Sequence, residues 1–152
     1  MIKTDELLSE EEINTLRYKK SWVSVLIILS IWLQVALAFS LFILYPNLIT
    51  FIISALIIAA KQFEMVVLMH DGAHGLIFKN RQTNDLVSQW FCAYPVMTDT
   101  LPYRKYHSLH HKYTETDKDP DLGLTKAFPT SKYSLIRKVL RDLTGIAGFR
   151  RS

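Results

Sequence analysis

Residues 21–45 contain no charged side chain, and that run limits the folds open to the chain more than any other feature. Roughly 25 residues wound as a helix, rising 1.5 Å each, cross a hydrocarbon layer about 30 Å thick with some tilt. Trp22 and Tyr45 stand near its ends, where aromatic side chains anchor spans at the interface. Pro46-Asn47 is a turn signal, and residues 48–69 supply a second apolar run. A helical hairpin is predicted, with spans at about 21–45 and 48–69. Ala36-Leu37-Ala38 looks like a signal-peptide cleavage site, but the apolar run continues beyond it and the leading segment is long and acidic. An uncleaved helix is expected.

Composition agrees with this reading. Of the 152 residues 49% are hydrophobic, and they concentrate in 22–69, a membrane distribution rather than a globular one. The net charge of +4 comes largely from residues flanking the apolar block, which favours a role in topology or at lipid headgroups over nucleic-acid binding; no nucleic-acid partner is expected. Arg17, Lys19 and Lys20 precede the first run and the connection between the runs is uncharged, so both ends of the hairpin are expected on the cytoplasmic side. The segment 1–20 carries Ser9 and Glu12 in a capping-box spacing. One cysteine, Cys92, excludes an intrachain disulfide and a cysteine-built zinc site.

All five histidines lie in two clusters, H-D-G-A-H at 70–74 and Y-H-S-L-H-H at 106–111. Residues three and four apart share a helix face, so His70 and His74, and likewise His107, His110 and His111, point imidazoles in one direction. Neutral imidazole is the commonest protein ligand for transition metals. The two clusters therefore predict a metal centre, with iron, zinc, copper and nickel all compatible on ligand type. Carboxylates near ligating histidines hold the rings through their second N–H. Asp71, Glu64, Asp119 and Asp121 are candidates for that role, although Lys61 and Glu64 are spaced to pair with each other and 119–121 also reads as a solvated acidic turn. The small residues Gly72, Ala73 and Gly75 fit either tight packing or close approach of substrate.

Residues 80–85 read as a polar turn. The apolar stretch 86–97 is too short to cross a bilayer and contains Pro95, so it is expected to be interfacial or re-entrant. Residues 133–143 form an amphipathic pattern, with Leu135, Ile136, Val139, Leu140 and Leu143 opposite Arg137, Lys138 and Arg141, and Gly145 as a stop. The fold class is thus an all-α, multi-pass membrane protein: 1–20 cytoplasmic, 21–70 the hairpin, 70–152 a cytoplasmic histidine-box region with interfacial helices.

The stretches Q-F-E-M-V-V-L-M-H-D-G-A-H-G-L-I-F-K-N and Y-R-K-Y-H-S-L-H-H-K-Y-T-E-T-D-K-D-P-D-L, with the preceding apolar segments, resemble the membrane-bound fatty acid desaturases, integral-membrane di-iron oxygenases. The tail K-V-L-R-D-L-T-G looks like bacterial-type members. The resemblance implies an oxidoreductase that places a double bond in an acyl chain with O₂ as co-substrate, and two irons held by His70, His74, His107, His110, His111 and further histidines. With no Gly-rich dinucleotide fingerprint and no haem-attachment motif, it also implies an external electron donor of ferredoxin, rubredoxin or cytochrome b5 type. The family has a third histidine box after a second pair of spans, and the sequence shows none. The chain is accordingly expected to be the N-terminal part of such an enzyme, inactive alone.

Two other readings share these features. Carotenoid ketolases and hydroxylases carry similar boxes and act on another lipid. A non-catalytic membrane protein that binds zinc, or holds an oligomer, through the same histidines is the third.

Overall fold

The computed structural model describes residues 8–16, 18–126 and 128–144. Arg17 and Gly145, read above as a basic flank and a helix stop, lie outside the described residues, as do 1–7. Among the described residues there is no strand. The α-helices are α1 (Glu10–Leu16), α2 (Ser21–Leu44), α3 (Leu48–Ala73), α4 (Arg81–Ser88), α5 (Thr100–Tyr113), α6 (Leu122–Thr125) and α7 (Lys132–Leu143). The chain divides into two compact units between Lys105 and Tyr106, a point inside α5.

In the first unit, α1 opens on the expected capping box. Glu12 N–H donates to Ser9 Oγ at 3.3 Å while Ser9 N–H donates to Glu12 Oε2 at 2.9 Å. Helices α2 and α3 are both long and apolar enough to cross a membrane. Their outward side chains are mostly apolar, including Leu29, Leu33, Phe51 and Leu56, while few residues are buried. A soluble helix hides its apolar face, so this pattern belongs to helices surrounded by lipid. The turn between them is locked by Asn47, whose Oδ1 accepts from the N–H of Ile49 and Thr50 as Thr50 Oγ1 accepts from Asn47 N–H. Where the helices touch, Ser54 Oγ donates to Ala38 O at 2.7 Å, a small-residue contact of the kind that lets membrane helices approach.

The helix of the second apolar run continues past residue 69 to Ala73 and ends in a Schellman motif. Leu76 N–H donates to Asp71 O and Gly75 N–H to Gly72 O, both at 2.9 Å, with Gly75 at φ 73°. Nothing before Gly75 breaks a helix, so the first histidine cluster closes the membrane helix itself.

Residues 80–85 are not a turn, as their polarity suggests. Asn80 caps α4 by accepting from Thr83 N–H at 3.0 Å, and the polar Asn84 faces inward with no solvent exposure. The apolar stretch that follows is a π-helical turn (Gln89–Ala93) and a 3-10 turn (Tyr94–Val96) ending at Met97, which adopts φ 55°. Trp32 Nε1 donates to Phe91 O at 3.2 Å, tying this segment to the flank of α2. Ile28, Met69, Ile77, Cys92 and Ala93 form the shared core. In the second unit, Ser131 caps α7 through Ser134 N–H, and the apolar residues of α7 are all exposed.

Candidate metal centre

In the first unit, His70 occupies the last turn of α3 and His74 is its C-cap. Their rings lie 4.7 Å apart at 66°, and the Tyr103 ring stands 6.3 Å from His70. The helical spacing thus brings this pair together as expected. Asp71 Oδ1 lies 3.6 Å from His70 Nδ1, beyond hydrogen-bond length. Glu64 accepts from Lys61 Nζ at 2.5 Å, the i,i+3 pairing anticipated above.

The two glycines are explained by packing and backbone shape. A Cβ on Gly72 would stand 2.0 Å from Ser88 Oγ, so α4 needs the bare backbone there. Gly75 holds the left-handed position of the helix end.

Sequence reasoning missed the polar cluster around this turn. Arg104 donates from Nε to Ala73 O at 2.7 Å and from Nη2 to Gly72 O at 3.1 Å. Its other contacts are a fork onto Asp85, 3.0 Å to Oδ2 and 2.5 Å to Oδ1. That hydrogen bonding, opposed by burial, holds the Asp85 carboxyl below its ordinary range. Asn84 Nδ2 also donates to Gly72 O, at 2.8 Å, and Lys19 donates to Gly75 O at 2.6 Å. The signal available was position: Arg104 sits three residues before His107, on the same helix face.

In the second unit, His107 and His111 approach through their Nε2 atoms, 3.0 Å apart. Two imidazoles bound to one metal at about 2.1 Å and a right angle would place their nitrogens about 3 Å apart, so this pair fits a transition-metal ion. His110 turns to Asp119, Nδ1 to Oδ1 at 2.8 Å. The carboxylate is buried and also accepts from the N–H of Asp121 at 2.8 Å and of Glu115 at 3.0 Å. Burial alone would raise the Asp119 carboxyl; the hydrogen bonds from His110 and from those two N–H groups outweigh it and bring it below the usual range. The same hydrogen bond raises His110 above the ordinary histidine value. The acidic loop is therefore organised around a histidine rather than merely solvated. Asp121 lies 3.6 Å from His110 Nδ1 and accepts from Tyr106 Oη at 2.5 Å.

The family profile described as Fatty acid desaturase matches residues 47–151, a stretch that holds all five histidines. Over 99 residues the chain is 37% identical to Dihydrorhizobitoxine desaturase of Bradyrhizobium elkanii, a match covering 60% of this chain and 26% of that protein. The chain thus spans about a quarter of the length of the curated relative it matches. No solved structure matches. With its α3 turn and both histidine clusters inside a profile that covers more than half of its length, the chain belongs to the fatty acid desaturase family.

Proposed function

We propose that the chain contributes the first two histidine clusters of a membrane-bound, O₂-dependent acyl desaturase whose metal is iron. The observation that carries this reading is the pairing of imidazoles at helical spacing in each cluster, His70 with His74 and His107 with His111, in a member of the desaturase family. These four and His110 would hold the metal, two irons in the complete site. Bound there, iron would supply the oxidising chemistry by which O₂, two external electrons and two protons take two hydrogens from adjacent methylenes, giving a double bond and two waters.

The chain's own residues bind, orient and enclose. Asp119 keeps Nδ1 of His110 protonated, which leaves Nε2 as the coordinating nitrogen. The apolar helices admit an acyl chain and exclude water. Both termini and both clusters face the cytoplasm in this reading, where a ferredoxin, rubredoxin or cytochrome b5 type donor delivers electrons. Helix α7, with Arg137, Lys138 and Arg141 opposite its exposed apolar face, lies on the lipid headgroups.

A second reading, desaturation of the substrate for which the Bradyrhizobium relative is named, is favoured by the 37% identity. The test is metal analysis of the purified chain, followed by product analysis of the gene product that contains it. Iron in the wild type and its loss in His70→Ala and His107→Ala support the ligand assignment. Zinc bound without O₂ consumption supports the non-catalytic reading. Hydroxylated or ketolated carotenoid as product would assign the chain to that chemistry instead.

A further inference from the structure

The last turn of α3 is held by side chains from three other segments: Lys19 before α2, Asn84 on α4, and Arg104 on α5. Two of the carbonyls they meet, Gly72 and Ala73, belong to residues lying between His70 and His74 in the chain. Both residues are buried. Gly72 O also accepts from Gly75 N–H and Asn84 Nδ2, so it is the Ala73 carbonyl that depends on Arg104, and a buried carbonyl stripped of its donor loses hydration and gains nothing. The end of a helix also carries partial negative charge, which a cation offsets. Arg104 supplies that cation in a fixed orientation, because its fork is engaged by both oxygens of Asp85. Asn84 completes the set, donating to Asp85 Oδ1 at 2.9 Å and accepting from Ile77 N–H at 3.1 Å.

The direction of an i,i+4 pair survives only while the intervening residues stay helical. If the last turn frays, His74 leaves the face on which His70 lies. We propose that Arg104, fixed by Asp85 and Asn84, is a positioning residue that keeps the end of α3 helical so that His70 and His74 present their imidazoles as one metal-binding pair. The metal side of this inference rests on the function proposed above. The clamp itself rests on hydrogen bonds within the first unit.

The test uses the whole chain in detergent micelles, with Co²⁺ as a visible metal probe and amide hydrogen exchange as a metal-free readout. In Arg104→Met, exchange at Gly75 and Leu76 should rise at least tenfold while α2 amides stay unchanged, and Co²⁺ affinity should fall at least tenfold. Arg104→Lys keeps the charge without the fork and should recover less than half of either effect on a logarithmic scale. Unchanged exchange at Gly75 and Leu76, full recovery by lysine, or faster exchange with undiminished Co²⁺ affinity would overturn the proposal. If Arg104→Met does not fold, Asp85→Asn releases the same guanidinium; faster exchange at those two amides supports the clamp and unchanged exchange rejects it. A wild-type chain that takes up no Co²⁺ overturns the metal reading instead, and the exchange data still decide whether the clamp holds the turn.

Discussion

Nδ1–H of His110 donates to Oδ1 of Asp119 at 2.8 Å, and the receiving carboxylate is buried and accepts from two further backbone N–H groups. A carboxylate held ionised this way fixes both the tautomer and the plane of the ring it receives. Asp119→Asn keeps the size but removes the charge. It should lower metal affinity about 10- to 100-fold, as read by Co²⁺ or Fe²⁺ titration. Unchanged affinity would mean that the pair serves the loop alone.

The Asp85–Arg104 fork makes stability depend on pH. Asp85 is held below its ordinary value in the folded chain by hydrogen bonding to Arg104. Its contribution is therefore fully present above the unfolded carboxylate pKa near ~4, and is lost as pH falls through the lower folded value. At pH 7, Asp85→Asn should cost about 1–2 kcal/mol, given that both partners are partly exposed. The gap between wild type and variant should narrow as pH drops below about 4. Melting curves in detergent at pH 7 and at stepwise lower pH check this; a gap that widens in acid contradicts it.

Gly72 faces Ser88 with no room for a side chain. Overfilling such a contact costs about 1–3 kcal/mol, so Gly72→Ala should lower the melting temperature. Adding Ser88→Gly should restore part of the loss, since it removes the two nearest atoms a new methyl group would meet and leaves only Ile77 Cδ1, at 3.2 Å. A double variant no better than the single one would place the strain elsewhere.

Cys92 has no solvent exposure. In the folded chain it should resist maleimide labelling, and react only after denaturation. Fast labelling of the native chain would show that the core around Ile28 and Met69 is open.

That shielding opens α7 to single-cysteine scanning. Ile136→Cys and Leu140→Cys place probes on the apolar face, and Arg141→Cys places one opposite. In anionic vesicles, fluorophores on the first two should be quenched by lipid-borne quenchers and the third by aqueous iodide. Equal aqueous quenching on both faces would take α7 off the membrane.

The hairpin is legible because an uncharged run of this length has few other fates, and the histidine clusters because no histidine falls outside them. The apolar run closes at residue 69 because apolarity marks lipid, whereas the helix obeys backbone chemistry and continues to Ala73, just short of the glycine at 75. Residues 80–85 mislead for the converse reason: Asn84, polar by type, is buried because its amide serves the carbonyl of Gly72 and the N–H of Ile77. Arg104 and Asp85 leave no pattern of their own, since a clamp made across three helices has no period in the sequence.

Helix α3 runs unbroken from the hairpin turn to the first histidine cluster. It therefore acts as a ruler with a phase. From Asn47 to His70 it measures roughly 34 Å at 1.5 Å per residue. One residue inserted after Glu64 would advance the cluster by about 1.5 Å and swing both rings through about 100°, whereas seven would move it by two turns and return the rings close to their original heading. The location of the chemistry is thus set by a count of residues along a rigid rod: a single-residue change in its length re-aims the cluster, while a two-turn change only displaces it.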